Sequence, residues 1–173
     1  MKLLIAVGAL LVMLAVACGG ISEAERHHNR GVEQSRLKQW DEAIVEYDKA
    51  IELDPDYAEA YTSRGGVYGS TREFDKAIAD LDRAIELDPK LALAYNNRGY
   101  TYSKLADYER AIEDLDKAIE LDPELALAYE NRGGAYSQLD EVGHAIADFQ
   151  KAIELEPSLE PSLELEIQRL KEQ

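Results

Sequence analysis

The chain is predicted to be all-α: an α-solenoid of four helix-turn-helix units with a C-terminal capping helix, preceded by a signal-peptide helix. Three observations predict it. Pro55, Pro89, Pro123 and Pro157 stand 34 residues apart, a period that marks one supersecondary unit copied and stacked. The pairs Arg30-Gly31, Arg64-Gly65, Arg98-Gly99 and Arg132-Gly133 keep the same interval, as do Ala43, Ala77, Ala111 and Ala145. Within a unit the apolar residues follow the helical period rather than the alternation of a strand.

The first element is residues 1–17, expected to be a signal peptide. Lys2 supplies one positive charge, and an apolar run of 15 residues follows from Leu3 to Ala17. This is shorter than the roughly 20 residues of a membrane span and matches a secretory leader. Leu14-Ala15-Val16-Ala17-Cys18 resembles a bacterial lipobox, with Ala15 where leucine is usual. The resemblance implies that Cys18 carries a lipid and opens the mature chain, with residues 18–23 as a short tether. Gly19 follows the cysteine, and the sorting rule of such lipoproteins then implies the outer membrane or cell surface of a bacterial envelope. Ala15-Val16-Ala17 also reads as an ordinary A-x-A cleavage site, which would release a soluble exported protein.

Residues 24–157 hold the four units, bounded as 24–57, 58–91, 92–125 and 126–157. In the third, Tyr95, Gly99 and Tyr102 share one helical face. Ala111, Ile112, Leu115, Ala118, Ile119 and Leu121 define a second helix. Asp107-Tyr108-Glu109 reads as the turn between them. Pro123 ends the second helix and pushes Asp122 out of the helical region. A helical glycine costs about 1 kcal/mol against alanine, so its return in every unit predicts close approach of two helices. Residues 158–173 are a linker and cap. Aligning Pro161 with Pro123 predicts a final helix from about Ser162 to Glu172, with Leu163, Ile167 and Leu170 turned inward.

These residues resemble the tetratricopeptide repeat family. Tyr95, Gly99, Tyr102, Ala111, Leu115, Ala118 and Pro123 match its 34-residue pattern, and the second and fourth units match equally. The first departs, with His27 and Gln34 at the two aromatic places, as a terminal capping unit would. Arginine replaces the usual leucine before each glycine.

The resemblance implies that the first helix of each unit lines a concave groove that binds a protein or peptide. Carried over, the groove face is Glu25, His28, Asn29, Val32 and Arg36; then Glu59, Thr62, Ser63, Gly66 and Ser70. The third unit adds Leu93, Asn96, Asn97, Tyr100, Ser103 and Lys104, and the fourth Leu127, Glu130, Asn131, Gly134 and Ser137. The asparagines could pair with a bound backbone, and Tyr100 offers a flat apolar surface with a polar tip. Chaperone-binding members clamp a terminal carboxylate with Lys and Arg. The corresponding places here hold His28, Thr62, Glu59 and Leu93, so that clamp is not expected.

Composition narrows the function. With 35 acids against 19 bases the net charge is −16, which repels a phosphate backbone and argues against nucleic acid. Cys18 is the sole cysteine, so no internal disulfide can form. No phosphate loop, nucleophile elbow or metal-ligand spacing occurs. The protein is therefore expected to be no enzyme, to use no cofactor or metal, and to take no small-molecule substrate. A non-catalytic subunit of an envelope enzyme is the remaining alternative. The four arginines are expected to pair with acids of the second helices, Asp80, Asp82, Asp114 and Asp116 among them.

Overall fold

This computed structural model describes residues 20–172. The expected signal helix and Cys18 lie outside them. Among the described residues all regular structure is helical: α1 (Glu23–Arg36), α2 (Trp40–Leu53), α3 (Ala58–Ser70), α4 (Phe74–Leu87), α5 (Ala92–Lys104), α6 (Tyr108–Leu121), α7 (Ala126–Gln138), α8 (Val142–Leu155), a 3-10 turn (Pro157–Leu159) and α9 (Glu160–Lys171). Each helix packs on the next, and α1, α3, α5 and α7 also neighbour one another in order. This is the predicted α-solenoid. No described helix is long and apolar enough to cross a membrane.

The array starts with a capping box. The Ser22 hydroxyl accepts from the Glu25 backbone N–H at 3.0 Å, and the Glu25 carboxylate accepts from the Ser22 N–H at 2.6 Å. Two otherwise unpaired donors of the first turn are satisfied in this way. Glu25, expected on the groove face, is thereby engaged at the helix start.

Within a unit the repeated glycine sets how closely the two helices pack. A methyl group at Gly99 would sit 2.8 Å from Leu115 Cγ and 3.0 Å from the Ala111 carbonyl oxygen. At Gly65 the facing residue is Leu81, and at Gly133 it is Phe149. Leu81 and Leu115 are fully buried, as are the alanines flanking them on the second helices. Small residues on one face and a large residue on the other interlock at native density.

The turn inside each unit lies elsewhere than the sequence reading put it. Tyr108 and Glu109 already belong to α6, and the chain reverses over Leu105–Asp107. Lys38, Arg72, Ala106 and Asp140 have positive φ, from 58° to 68°. Each closes a Schellman motif: the Asp107 N–H donates to the Tyr102 carbonyl at 3.0 Å, and the Ala106 N–H to the Ser103 carbonyl at 3.1 Å. Glycine usually marks this position, and here none does. Ala106→Gly should therefore stabilise the protein by about 0.5–1 kcal/mol, relieving Cβ strain at the left-handed position. Urea unfolding followed by circular dichroism measures it.

The turns between units follow the prolines. Asp122 caps α6 in extended backbone, φ −137° and ψ 92°, as the following proline demands. Its carboxylate accepts from the Glu124 N–H at 3.0 Å, as those of Asp54 and Asp88 do from Asp56 and Lys90.

Three residues after Pro157, as after Pro55, Pro89 and Pro123, the next helix begins. The 34-residue metre thus runs on into α9, and the expected restart at Pro161 is corrected. Pro161 instead occupies the first turn of α9, where its missing N–H costs nothing. Leu163, Ile167 and Leu170 are buried as expected, packed on Ala145, Phe149 and Ala152 of α8.

Candidate partner-binding groove

The first helices of successive units are stitched side to side by polar side chains. Asn131 Nδ2 donates to Asn96 Oδ1 at 3.0 Å, and Asn96 Nδ2 donates to Asn97 Oδ1 at 3.1 Å. Between α1 and α3, His28 Nε2 lies 2.9 Å from Ser63 Oγ. Its Nδ1 is 3.3 Å from the Tyr57 hydroxyl, and its ring leans on Tyr47 and Tyr57. Burial lowers the His28 pKa, with Glu59 pulling the other way. Thr62 is 5% exposed and donates to the Ala58 carbonyl at 3.0 Å.

The residues predicted for the groove therefore divide. Thr62 and Asn96 are buried between helices, which corrects their expected exposure, and His28 and Ser63 satisfy each other. Asn29, Leu93, Lys104 and Leu127 are exposed, whereas Asn97, Tyr100, Glu130 and Asn131 are half-buried. Leu93 and Leu127, 34 residues apart, remain 47% and 49% exposed. They put apolar area on the rim of the last two units only, because Glu25 and Glu59 hold those places in the first two.

Tyr100 stands where three depressions meet. One of about 500 Å³ lies between α5, α7 and α9, lined by Ser103, Glu130, Asn131, Gly134, Leu163 and Glu166 among others. A second, of about 330 Å³, runs between α3, α5 and α7 over Gly66, Asn97 and Leu127. The third, of about 410 Å³, adjoins Gly69, Arg72, Phe74 and Lys104. The Lys104 ammonium sits 4.8 Å from the Tyr100 ring centroid, a favourable cation–π separation. Gly134 opens onto empty space, so a side chain there would project into the groove. The cap helix α9 forms one wall of the first of these depressions, a contribution the sequence does not predict.

Glu130 differs from the other groove acids. Burial raises its pKa, with no opposing charge or bond offsetting it. Glu166 is paired with Arg169 at 2.7 Å.

Away from the groove, arginines bind neighbouring units together. Arg98 makes two bonds to Asp114 of its own unit, both between 2.7 and 2.8 Å. Its third lies 2.6 Å from Asp82 of the preceding unit. Arg64 does the same with Asp80 and Asp48, and Arg132 with Asp148 and Asp116. Bonding to Asp114 raises the Arg98 pKa against the opposing effect of burial. The expected pairing with the second helices holds for these three. Arg30 is exposed, and Glu46, which takes the aspartate place in the first unit, is engaged by His27 and Lys49. Among the described residues no three His, Cys, Asp or Glu side chains gather as a metal site.

A stack of helix pairs with a pocketed face defines a protein-interaction scaffold. Sequence models of the tetratricopeptide repeat match residues 92–125 and 126–159, and one for the TPR repeat matches 36–71 and 73–105. The chain belongs to the tetratricopeptide repeat family. No curated protein matches it.

Solved structures do. The pilF protein of Pseudomonas aeruginosa is 27% identical with a TM-score of 0.77, over 86% of this chain and 67% of its own. MamA is 31% identical with a TM-score of 0.66, over 78% of this chain and 79% of its own. The first TPR of Spaghetti (RPAP3), solved with the HSP90 peptide SRMEEVD, is 26% identical with a TM-score of 0.64, over 68% and 93%.

Proposed function

We propose that the protein is a non-catalytic scaffold, tethered to a bacterial envelope membrane by a lipid on Cys18, whose groove docks an extended segment of a protein partner. The observation that carries the docking is the position of Tyr100. One half-buried aromatic ring joins three depressions along α3, α5 and α7, and an aromatic at the centre of a pocketed surface is the usual energetic anchor of an interface. Similarity to a TPR solved with a bound peptide supports the mode. The partner differs in kind from that peptide's acidic end. The places a carboxylate clamp needs hold His28, Thr62, Glu59 and Leu93, of which the first two are occupied in packing.

Tyr100→Ala should weaken partner binding by about 2 kcal/mol, near thirtyfold, with only a small loss in melting temperature because the ring is half-buried. Calorimetric titration with the isolated partner reads the first, and a thermal melt the second. The tether rests on Leu14 to Cys18 and on Gly19, which direct the proposal to an outer-membrane or surface lipoprotein. Two acyl chains hold a protein stably at a bilayer where one does not. Mass spectrometry of the mature amino terminus tests it. An acylated Cys18 is expected. An unmodified thiol after cleavage at Ala17 would make the protein a soluble exported module with the same groove.

A further inference from the structure

We propose that the depression between α5, α7 and α9 is a pocket for a cationic side chain, a lysine or arginine of the docked segment, with Glu130 as its counter-ion. This rests on the groove reading above and specifies the chemistry of its occupant. Glu130 is half-buried on α7 and is one of the groove residues not absorbed in stitching the helices together. Taking a carboxylate partly out of water without a partner is costly. Burial accordingly raises its pKa, and no cation of the described residues offsets that effect. The two charged neighbours leave the role open: Glu166 is engaged by Arg169, and Lys104 is held over Tyr100.

The cavity itself is suited to a long side chain. It has about 500 Å³ of space, and nothing lies within 4 Å of where a side chain at Gly134 would begin. Ser103 Oγ, on its wall, is buried and makes no hydrogen bond. That oxygen is shut off from the cavity, so the donors of a guanidinium or ammonium serve the Glu130 carboxylate. The apolar stem of such a side chain would lie along Tyr100 and Leu163, as long cationic side chains do.

The charge of the whole chain, −16, draws basic partners and repels acidic ones. It also makes a second copy of this acidic chain the wrong occupant.

The test is selection of a random peptide display library on the immobilised mature protein, repeated with Glu130→Gln, Tyr100→Ala and Gly134→Leu. Glutamine keeps the shape and removes the charge, so it should leave the melting temperature unchanged or raised. Peptides selected by the natural protein should carry Lys or Arg at one fixed position. Their affinity should fall about tenfold with Glu130→Gln, the size expected for a hydrogen bond to a charged group. Tyr100→Ala should lower the affinity of those peptides about thirtyfold, and Gly134→Leu, which fills the pocket, should abolish their binding.

Peptides that need Tyr100 but show no cationic position, or bind equally well to Glu130→Gln, would overturn the counter-ion and leave the groove standing. Enrichment of Asp or Glu would do the same. A library that yields no binder, or binders indifferent to Tyr100 and Gly134, would overturn the groove reading and the pocket with it.

Discussion

Arg98→Met should destabilise the protein by about 3 kcal/mol. Asp114 is 7% exposed, and both its oxygens are held by Arg98. Deleting the cation strands a buried carboxylate, which costs about 3–5 kcal/mol in a dry interior. The lower end applies because Arg98 itself is one-fifth exposed. Most of this cost is the orphaned charge rather than lost attraction. Arg98→Met combined with Asp114→Leu should therefore recover half or more of it.

The loss should also change the shape of unfolding. Arg98 ties α6 of its own unit to Asp82 on α4 of the unit before, and stacked repeats owe their cooperativity to such neighbour terms. A shallower urea transition is expected, with a smaller m-value. A single-mutant cost below about 0.5 kcal/mol, the size of an ordinary exposed pair, would show that the ladder is decorative.

Gly99→Ala and Gly134→Ala should move stability in opposite directions. Both sit inside helices, where alanine is intrinsically better by about 1 kcal/mol. At Gly134 nothing lies within 4 Å of the new methyl, so the propensity gain should appear nearly in full. At Gly99 the methyl would meet Leu115 Cγ at 2.8 Å and the Ala111 carbonyl at 3.0 Å. Leu115 is fully buried and the carbonyl is backbone, so α5 and α6 must separate. Overpacking of that kind costs about 1–3 kcal/mol and would exceed the gain. Denaturant midpoints of the two variants give the comparison directly. A stabilising Gly99→Ala would mean that the helices do not approach as closely as described.

Much of the fold was legible because the metre repeats physical requirements. Glycine, alanine and proline recur where helices touch or must stop, and the acids that meet Arg64, Arg98 and Arg132 lie 16 residues away on the second helix. The internal turn is not legible for a local reason. The left-handed position falls on Lys38, Arg72, Ala106 and Asp140, and without glycine it carries no residue signal. Aligning Pro161 with Pro123 places the start of the cap helix too late, because the first turn of a helix accepts proline.

The groove was only half legible. Helical spacing selects one face, but it cannot say which side chains on that face bind each other. His28 with Ser63 and Asn96 with Asn131 are each 35 residues apart. That is one repeat plus one residue, an offset at which neighbouring first helices face each other. Pairing polar residues at that offset would have found the stitches. The share of the depression beside Glu130 that belongs to α9 requires the cap to be placed.

The most direct test of a partner docked in the groove is site-specific photo-crosslinking in the living cell. A photo-reactive residue is placed at position 100 and, in a second protein, at exposed position 113 on α6. The account predicts a discrete partner adduct from position 100, lost with Gly134→Leu, and none from position 113. Equal adducts from both positions, or an adduct from 113 alone, would contradict it.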